Sequence, residues 1–267
     1  MRDWANYRHY GWVIAIAMLL VQTVSSGLGF YNMSVYMSFF ARGLDASLDA
    51  VSLSVSLFFI SGGVAGLFVA RLLERWDIRT IMVIGASVSG VALLLIGRAS
   101  NLYELYALFT LFGIGNTGVS IVVATSLITQ WFPDERRSVA LSISSTGLSL
   151  GGVLITPYTA YLFDKSGIFE AMPLLGVIFV VGIVPIVILF IRPPVTLQAV
   201  KETKRNFEME YLLARKSRFF VCVTTAYVLI MAAQVGGIAH LYNRVDALGG
   251  LGVAAGSIQA LTLASIS

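Results

Sequence analysis

Charge is what this sequence has least of. Only 12% of its residues are Asp, Glu, Lys or Arg, about half the share of a soluble globular domain. Every one of them lies in or beside a connection, never in the middle of a long apolar run. A chain with 57% hydrophobic residues and a mean hydropathy of +0.85 cannot clothe a water-facing surface. It belongs in a bilayer. There is one cysteine, Cys222, which excludes an internal disulfide and any cysteine-based metal cluster; set in an apolar run, it is expected to pack. The two histidines, His9 and His240, fall near the ends of apolar runs, where an interfacial role fits better than a ligating one. No nucleophile triad, metal-spaced His/carboxylate cluster or phosphate-cradling loop is visible. The reading is therefore not an enzyme, with no cofactor and no metal. An ionisable group at mid-membrane usually marks an ion or substrate path, so these runs carry no obvious proton relay. The net charge of +4 does not point to nucleic acid, because the cations lie between apolar runs rather than on one polar face.

What the sequence does have is apolar length. Runs long enough for spanning helices of about 20 residues cover 11–40, 49–72, 78–96, 102–131, 138–163, 168–191 and 219–242, and an eighth begins near Gly249. The fold class is all-α and polytopic, with helices crossing a lipid bilayer. Lys and Arg fall unequally on alternate connections: Arg2, Arg8, Arg71, Arg75, Arg79, Arg136, Arg137, Arg192, Lys201, Lys204, Arg205, Arg215, Lys216 and Arg218 on one side, against Arg42, Arg98, Lys165 and Arg244 on the other. The positive-inside bias puts the N-terminus in the cytoplasm. Trp12, Trp76 and Trp131 fall at cytoplasmic boundaries, as interfacial indoles do.

Polar residues inside the runs are few and patterned. Gln22, Ser25, Ser26, Gly29, Asn32 and Tyr36 recur at helical spacing down the first span and must face protein or water. Two readings stand side by side, helix–helix contact through small residues and hydroxyls or a cavity wall; the amides of Gln22 and Asn32, each with four hydrogen-bonding sites to satisfy, favour the wall. The fourth span holds Gly113-Ile114-Gly115-Asn116-Thr117-Gly118, which permits close backbone approach. In the fifth, Gly147, Gly151 and Gly152 make a flat face, Pro157 removes a backbone donor and should kink the helix, and Ser145, Ser149 and Thr156 share a side with Tyr158 beside the kink. The seventh repeats the theme with Thr224, Tyr227, Met231 and Gln234. Ser47 is a plausible N-cap for the second helix. Pro193-Pro194 ends the sixth span, and the polar stretch after it, with Phe207, Tyr211 and Leu212 in an amphipathic pattern, suits a linker on the membrane surface.

Between the second and third spans, over residues 66–85 (GLFVARLLERWDIRTIMVIG), Glu74, Arg75 and Arg79 follow the order acid, Arg, x, x, x, Arg. This resembles the inner-loop signature of the major facilitator superfamily, with Ala70 and Asp77 where the signature has glycines. Residues 131–167, Gly11-Trp12 and the stretch 27–32 resemble the monocarboxylate porter and oxalate/formate antiporter branch. The resemblance implies a six-helix N-terminal bundle of two inverted three-helix repeats over 1–192, a cytoplasmic linker over 193–217, and the start of a second half over 218–267. It implies a secondary transporter of small organic solutes, small carboxylates or other organic anions, in a cell membrane, with the bacterial inner membrane favoured. Gln22, Tyr31, Asn32, Asn116, Ser149, Tyr158, Tyr227 and Gln234 are the cavity candidates, Tyr31 by resemblance alone. Glu74, Arg75 and Arg79 would form a cytoplasmic gate, or serve only to set topology. Phe109 stands where proton-coupled relatives place an arginine. The opposite wall would come from a C-terminal half outside this sequence or from a second copy acting as a dimer; a seven-helix receptor fits the span count but needs an outside N-terminus. On this reading the 267-residue chain alone should give no saturable uptake in liposomes, and measurable uptake would refute it.

Overall fold

A computed structural model of the chain describes residues 2–73, 75–132, 136–192, 217–249 and 260. The linker from 193 to 216, the eighth run apart from Gly249 and Ala260, and Glu74 of the gate motif lie outside the described residues. Within them the protein is helical: α1 (Arg2–Ser26), a π-turn (Gly27–Tyr31), α2 (Met33–Gly43), α3 (Leu48–Leu72), α4 (Ile78–Ile96), α5 (Leu102–Thr117), α6 (Ile121–Trp131), α7 (Arg137–Ser166), α8 (Ile168–Phe190) and α9 (Arg218–Gly249). Seven crossings result, with α1 to α2 making the first and α5 to α6 the fourth.

The ends of these helices have local causes. The Ser47 hydroxyl accepts from the Ala50 amide at 3.2 Å, the expected cap of α3. Asp77 accepts from the Arg79 amide at 3.0 Å and caps α4, a role the loop signature does not suggest for that position. At α5, Asn101 accepts from the Glu104 amide at 3.0 Å, satisfying one orphan donor of the first turn, while the Glu104 carboxylate accepts from the amide of Ser100, the residue before the cap, at 2.9 Å. Gly167, at φ +79°, makes the turn from α7 into α8.

Two crossings differ from the continuous helices expected. In the fourth, the chain breaks at Gly118 to Ser120, where three amides reach back only three residues, Gly118 to Gly115 at 3.0 Å, Val119 to Asn116 at 3.1 Å and Ser120 to Thr117 at 3.2 Å. Three glycines in six residues weaken the helix there, and the Ile81 carbonyl would lie only 2.8 Å from a Cβ at Gly118, so α4 approaches the break closely. The first crossing is interrupted by the π-turn. By contrast α7 continues through Pro157, and α8 through Pro173 and Pro185.

The packing order reveals the repeat. α1 packs along α7, α5 along α3, and α4 along α8. Exchanging crossings 1–3 with 4–6 converts the 1·5 contact into the 4·2 contact and returns the 3·6 contact to itself. Crossings 1 and 4 run in opposite directions, so the bundle is two inverted three-helix repeats, as expected. Both equivalent seams are floored with glycine: Gly147 faces the Leu19 carbonyl and Gly113 the Phe58 carbonyl, leaving no room for a Cβ. Phe109 is fully buried, its ring 6.2 Å from those of Tyr36 and Phe40. An aromatic plug occupies that position.

At the rim that carries the N-terminus, three crossings are clasped together. The Tyr10 hydroxyl donates to the Phe190 carbonyl at 3.0 Å, Trp131 Nε1 donates to the Arg192 carbonyl at 3.0 Å, and the Arg192 guanidinium lies 4.8 Å from the Tyr10 ring centroid. The Phe190 carbonyl at the end of α8, which has no helical partner, and the Arg192 carbonyl just beyond it are thus satisfied from α1 and α6. Trp12 rests on Phe132, whereas Trp76 is half exposed. α9 packs chiefly on α2 and leaves most of its surface open. Cys222, expected to be packed, is exposed for that reason.

Candidate functional site

The first and fourth crossings meet where each departs from regular helix. In the π-turn the Asn32 amide donates to the Gly27 carbonyl at 3.2 Å, five residues back, instead of to Leu28. That frees the Leu28 carbonyl, and the Tyr36 hydroxyl donates to it at 3.0 Å from a fully buried position. On the side facing the fourth crossing, Ser25 Oγ donates to Asn116 Oδ1 at 2.8 Å. Gly29 makes this possible, because a Cβ there would lie 2.9 Å from Asn116 Nδ2. The Asn116 amide therefore lies directly against bare backbone, half-buried just before the break.

On the side facing α7, Ser26 Oγ donates to the Leu148 carbonyl at 2.8 Å and Asn32 Nδ2 to Thr159 Oγ1 at 2.8 Å. Tyr31 and Ser149 share a side-chain hydrogen bond. Three enclosed polar atoms have no partner: Gln22 Nε2, Asn32 Oδ1 and Thr156 Oγ1. Leaving a buried donor or acceptor unmade costs about 1–3 kcal/mol, so this spine retains hydrogen-bonding capacity that the protein itself does not use.

Gln22, Tyr31, Asn32, Asn116 and Ser149 are thus brought into one polar spine between crossings 1, 4 and 5. They do not form one outward stripe, since Gln22 and Asn32 are enclosed against α7 while Asn116 and Ser149 remain half-open. Tyr158 is exposed on α7, and Tyr227 and Gln234 are exposed on α9; none joins the hydrogen-bonded spine. Gly147, Gly151 and Gly152 are all buried, the first two against α1. In the gate motif Arg75 is exposed, and Arg79 is half-buried with its Nε enclosed and without a partner. Sequence reasoning missed Thr159, though it continues the Ser149, Gly152, Thr156 spacing by one more step. The spine offers amide and hydroxyl groups that can both donate and accept. It offers no charge.

A family model described as Major Facilitator Superfamily matches residues 19–267. The chain is 28% identical over 255 residues to the oxalate:formate antiporter of Oxalobacter formigenes, covering 92% of this chain and 57% of that protein. It is 24% identical over 174 residues to monocarboxylate transporter 14 of Homo sapiens, covering 63% of this chain and 33% of that one. Among solved structures, a bacterial homologue of the human lysosomal transporter Spinster, inward-facing and occupied, superposes with a TM-score of 0.68 at 18% identity, covering 91% of this chain and 56% of that one. The chain spans about half the length of the curated relatives it matches.

Proposed function

This chain belongs to the major facilitator superfamily, and from that premise we propose that it forms one wall of a carrier that moves small carboxylates across a membrane by alternating access. The family and the seven apolar crossings make it a multi-pass membrane protein of solute transport. The narrower reading is carried by the junction of Ser25, Gly29 and Asn116, where two interrupted crossings meet and a half-buried amide faces backbone without a side chain. Irregular helix within a membrane is tolerated where it is buried in protein or lines a cavity, and carriers of this kind bind near the bilayer midplane. The similarity to an oxalate:formate antiporter and a monocarboxylate transporter supports carboxylates as the solute class.

Amides and hydroxyls can hydrogen-bond carboxylate oxygens but cannot neutralise them. The cation comes from the opposite wall, supplied by further chain or by a second copy. Residues 1–192 act as one six-helix half, 193–217 as a linker on the cytoplasmic face, and 218–267 as the first part of the facing unit. Tyr158, Tyr227 and Gln234, exposed as they are, line the space between units. Glu74, Arg75 and Arg79 latch the cytoplasmic mouth. The N-terminus is cytoplasmic, in the bacterial inner membrane.

Uptake of labelled oxalate, formate and lactate into cells expressing the full protein that carries this chain tests the reading. Saturable uptake of at least one, competed by unlabelled carboxylate and not by its neutral amide, is expected. Transport of neutral solutes that carboxylates do not inhibit would overturn it. A tag at Met1 should resist protease in spheroplasts; cleavage from outside would reverse the assigned orientation.

A further inference from the structure

In the π-turn of the first crossing a backbone carbonyl is held by a single side-chain hydroxyl. A π-turn accommodates one residue more than the α-helix around it. Here the displaced carbonyl, Leu28, is satisfied by Tyr36 eight residues on. The Asn32 side chain also hydrogen-bonds that hydroxyl while its Nδ2 holds Thr159, and its Oδ1 is left unpartnered. The turn is therefore stabilised at the backbone by one side chain and left incomplete at another. α2, directly after the turn, is buried along most of its length by Met33, Val35, Tyr36, Met37 and Phe40. Largely apolar, and softened by two methionines, it keeps two of its polar contacts within its own stretch of chain: the buried Ser34 hydroxyl donates to the Tyr31 carbonyl at 3.3 Å, and Arg42 Nη2 donates to Ser38 Oγ at 2.9 Å. α2 is also the segment on which α9 chiefly packs, whereas α1 packs on α7.

We propose that the first crossing has two registers, that the Tyr36 hydroxyl latches the π register by holding the Leu28 carbonyl, and that release to the α register turns α2 and α9 together against α1 and α7. Removing the extra residue from the turn rotates the downstream helix by about 100° and advances it by about 1.5 Å. Asn32 would then donate its amide to Leu28, and the hydroxyl would be freed. The purpose assigned to this motion, shifting the first helix beyond the linker, rests on the carrier reading; the register change itself does not.

The test uses the whole chain in lipid nanodiscs with Cys222→Ser as background and spin labels on two exposed positions, Leu154 of α7 and Leu229 of α9. Tyr36→Phe, which removes the hydroxyl and with it both the latch to Leu28 and the contact with Asn32, is expected to shift the ratio of two distance populations by about fivefold, the size of one neutral hydrogen bond. Thr159→Val, which deletes the Asn32 partner but spares Leu28, should lower the melting temperature without moving that ratio. A single unchanged distance in Tyr36→Phe, or the same shift in Thr159→Val, would overturn the latch. In the unmutated chain, the Asn32 amide should exchange with deuterium faster than those of Met18 and Val21; equal protection would also overturn it, whether or not the variant folds. Distances need no solute, so a shift without carboxylate uptake removes the substrate reading and leaves the latch, whereas uptake with fixed distances removes the latch alone.

Discussion

A Gly151→Val variant is expected to melt well below the parent chain in mild detergent, with a loss of about 3 kcal/mol or more. The first methyl of any side chain at this position would sit 2.5 Å from the Thr23 carbonyl oxygen and 2.6 Å from the Gly27 nitrogen. Both are backbone, so neither can swing aside, and α1 and α7 must part along their shared seam. Overpacking a well-filled interior usually costs about 1–3 kcal/mol; here two further methyls and fixed neighbours place the effect at or beyond the upper end. Gly63→Val is the natural control, since nothing lies within 4 Å of a Cβ there, and its effect should stay within about 0.5 kcal/mol. Thermal unfolding followed by circular dichroism decides the matter: equal melting of the two variants would mean that the glycine floor does not set the approach of these helices.

The second large effect is expected on transport. Asn116→Val in the full protein should lower carboxylate uptake, as Vmax/KM, by between about fivefold and a hundredfold, the range that one unmade buried hydrogen bond of about 1–3 kcal/mol implies. Ser25 loses its acceptor, and the half-buried polar group beside Gly29 disappears. Asn116→Ser, which keeps an acceptor, should recover part of the loss. Should Asn116→Val melt earlier yet transport at the parent rate, the residue is a brace between crossings and not part of the solute path.

The crossings could be read from the chain because hydropathy responds to length and composition, and so could the Ser47 cap, which is a local event over four residues. The interruptions could not. Whether the Asn32 amide chooses Gly27 or Leu28 depends on a tyrosine four residues on, and no periodicity distinguishes those two bonds. Gly113, Gly115 and Gly118 signalled close approach, but the same glycines serve equally in a continuous helix and in a broken one. The polar stripe of the first crossing illustrates a different limit. Helical spacing showed that Gln22, Ser25, Asn32 and Tyr36 share a side; it could not show that the π-turn divides them, sending Ser25 towards Asn116 and Asn32 towards Thr159. Cys222 failed as a packing residue because an apolar run says nothing about how many neighbours its helix will have.

The clasp around Arg192 has a mechanical consequence. Its carbonyl is held by Trp131 and its guanidinium rests on Tyr10, so a pull transmitted along the polypeptide beyond this point does not arrive at the sixth crossing alone. It is shared at once with the first and the fourth, the two crossings whose interruptions meet at Ser25 and Asn116.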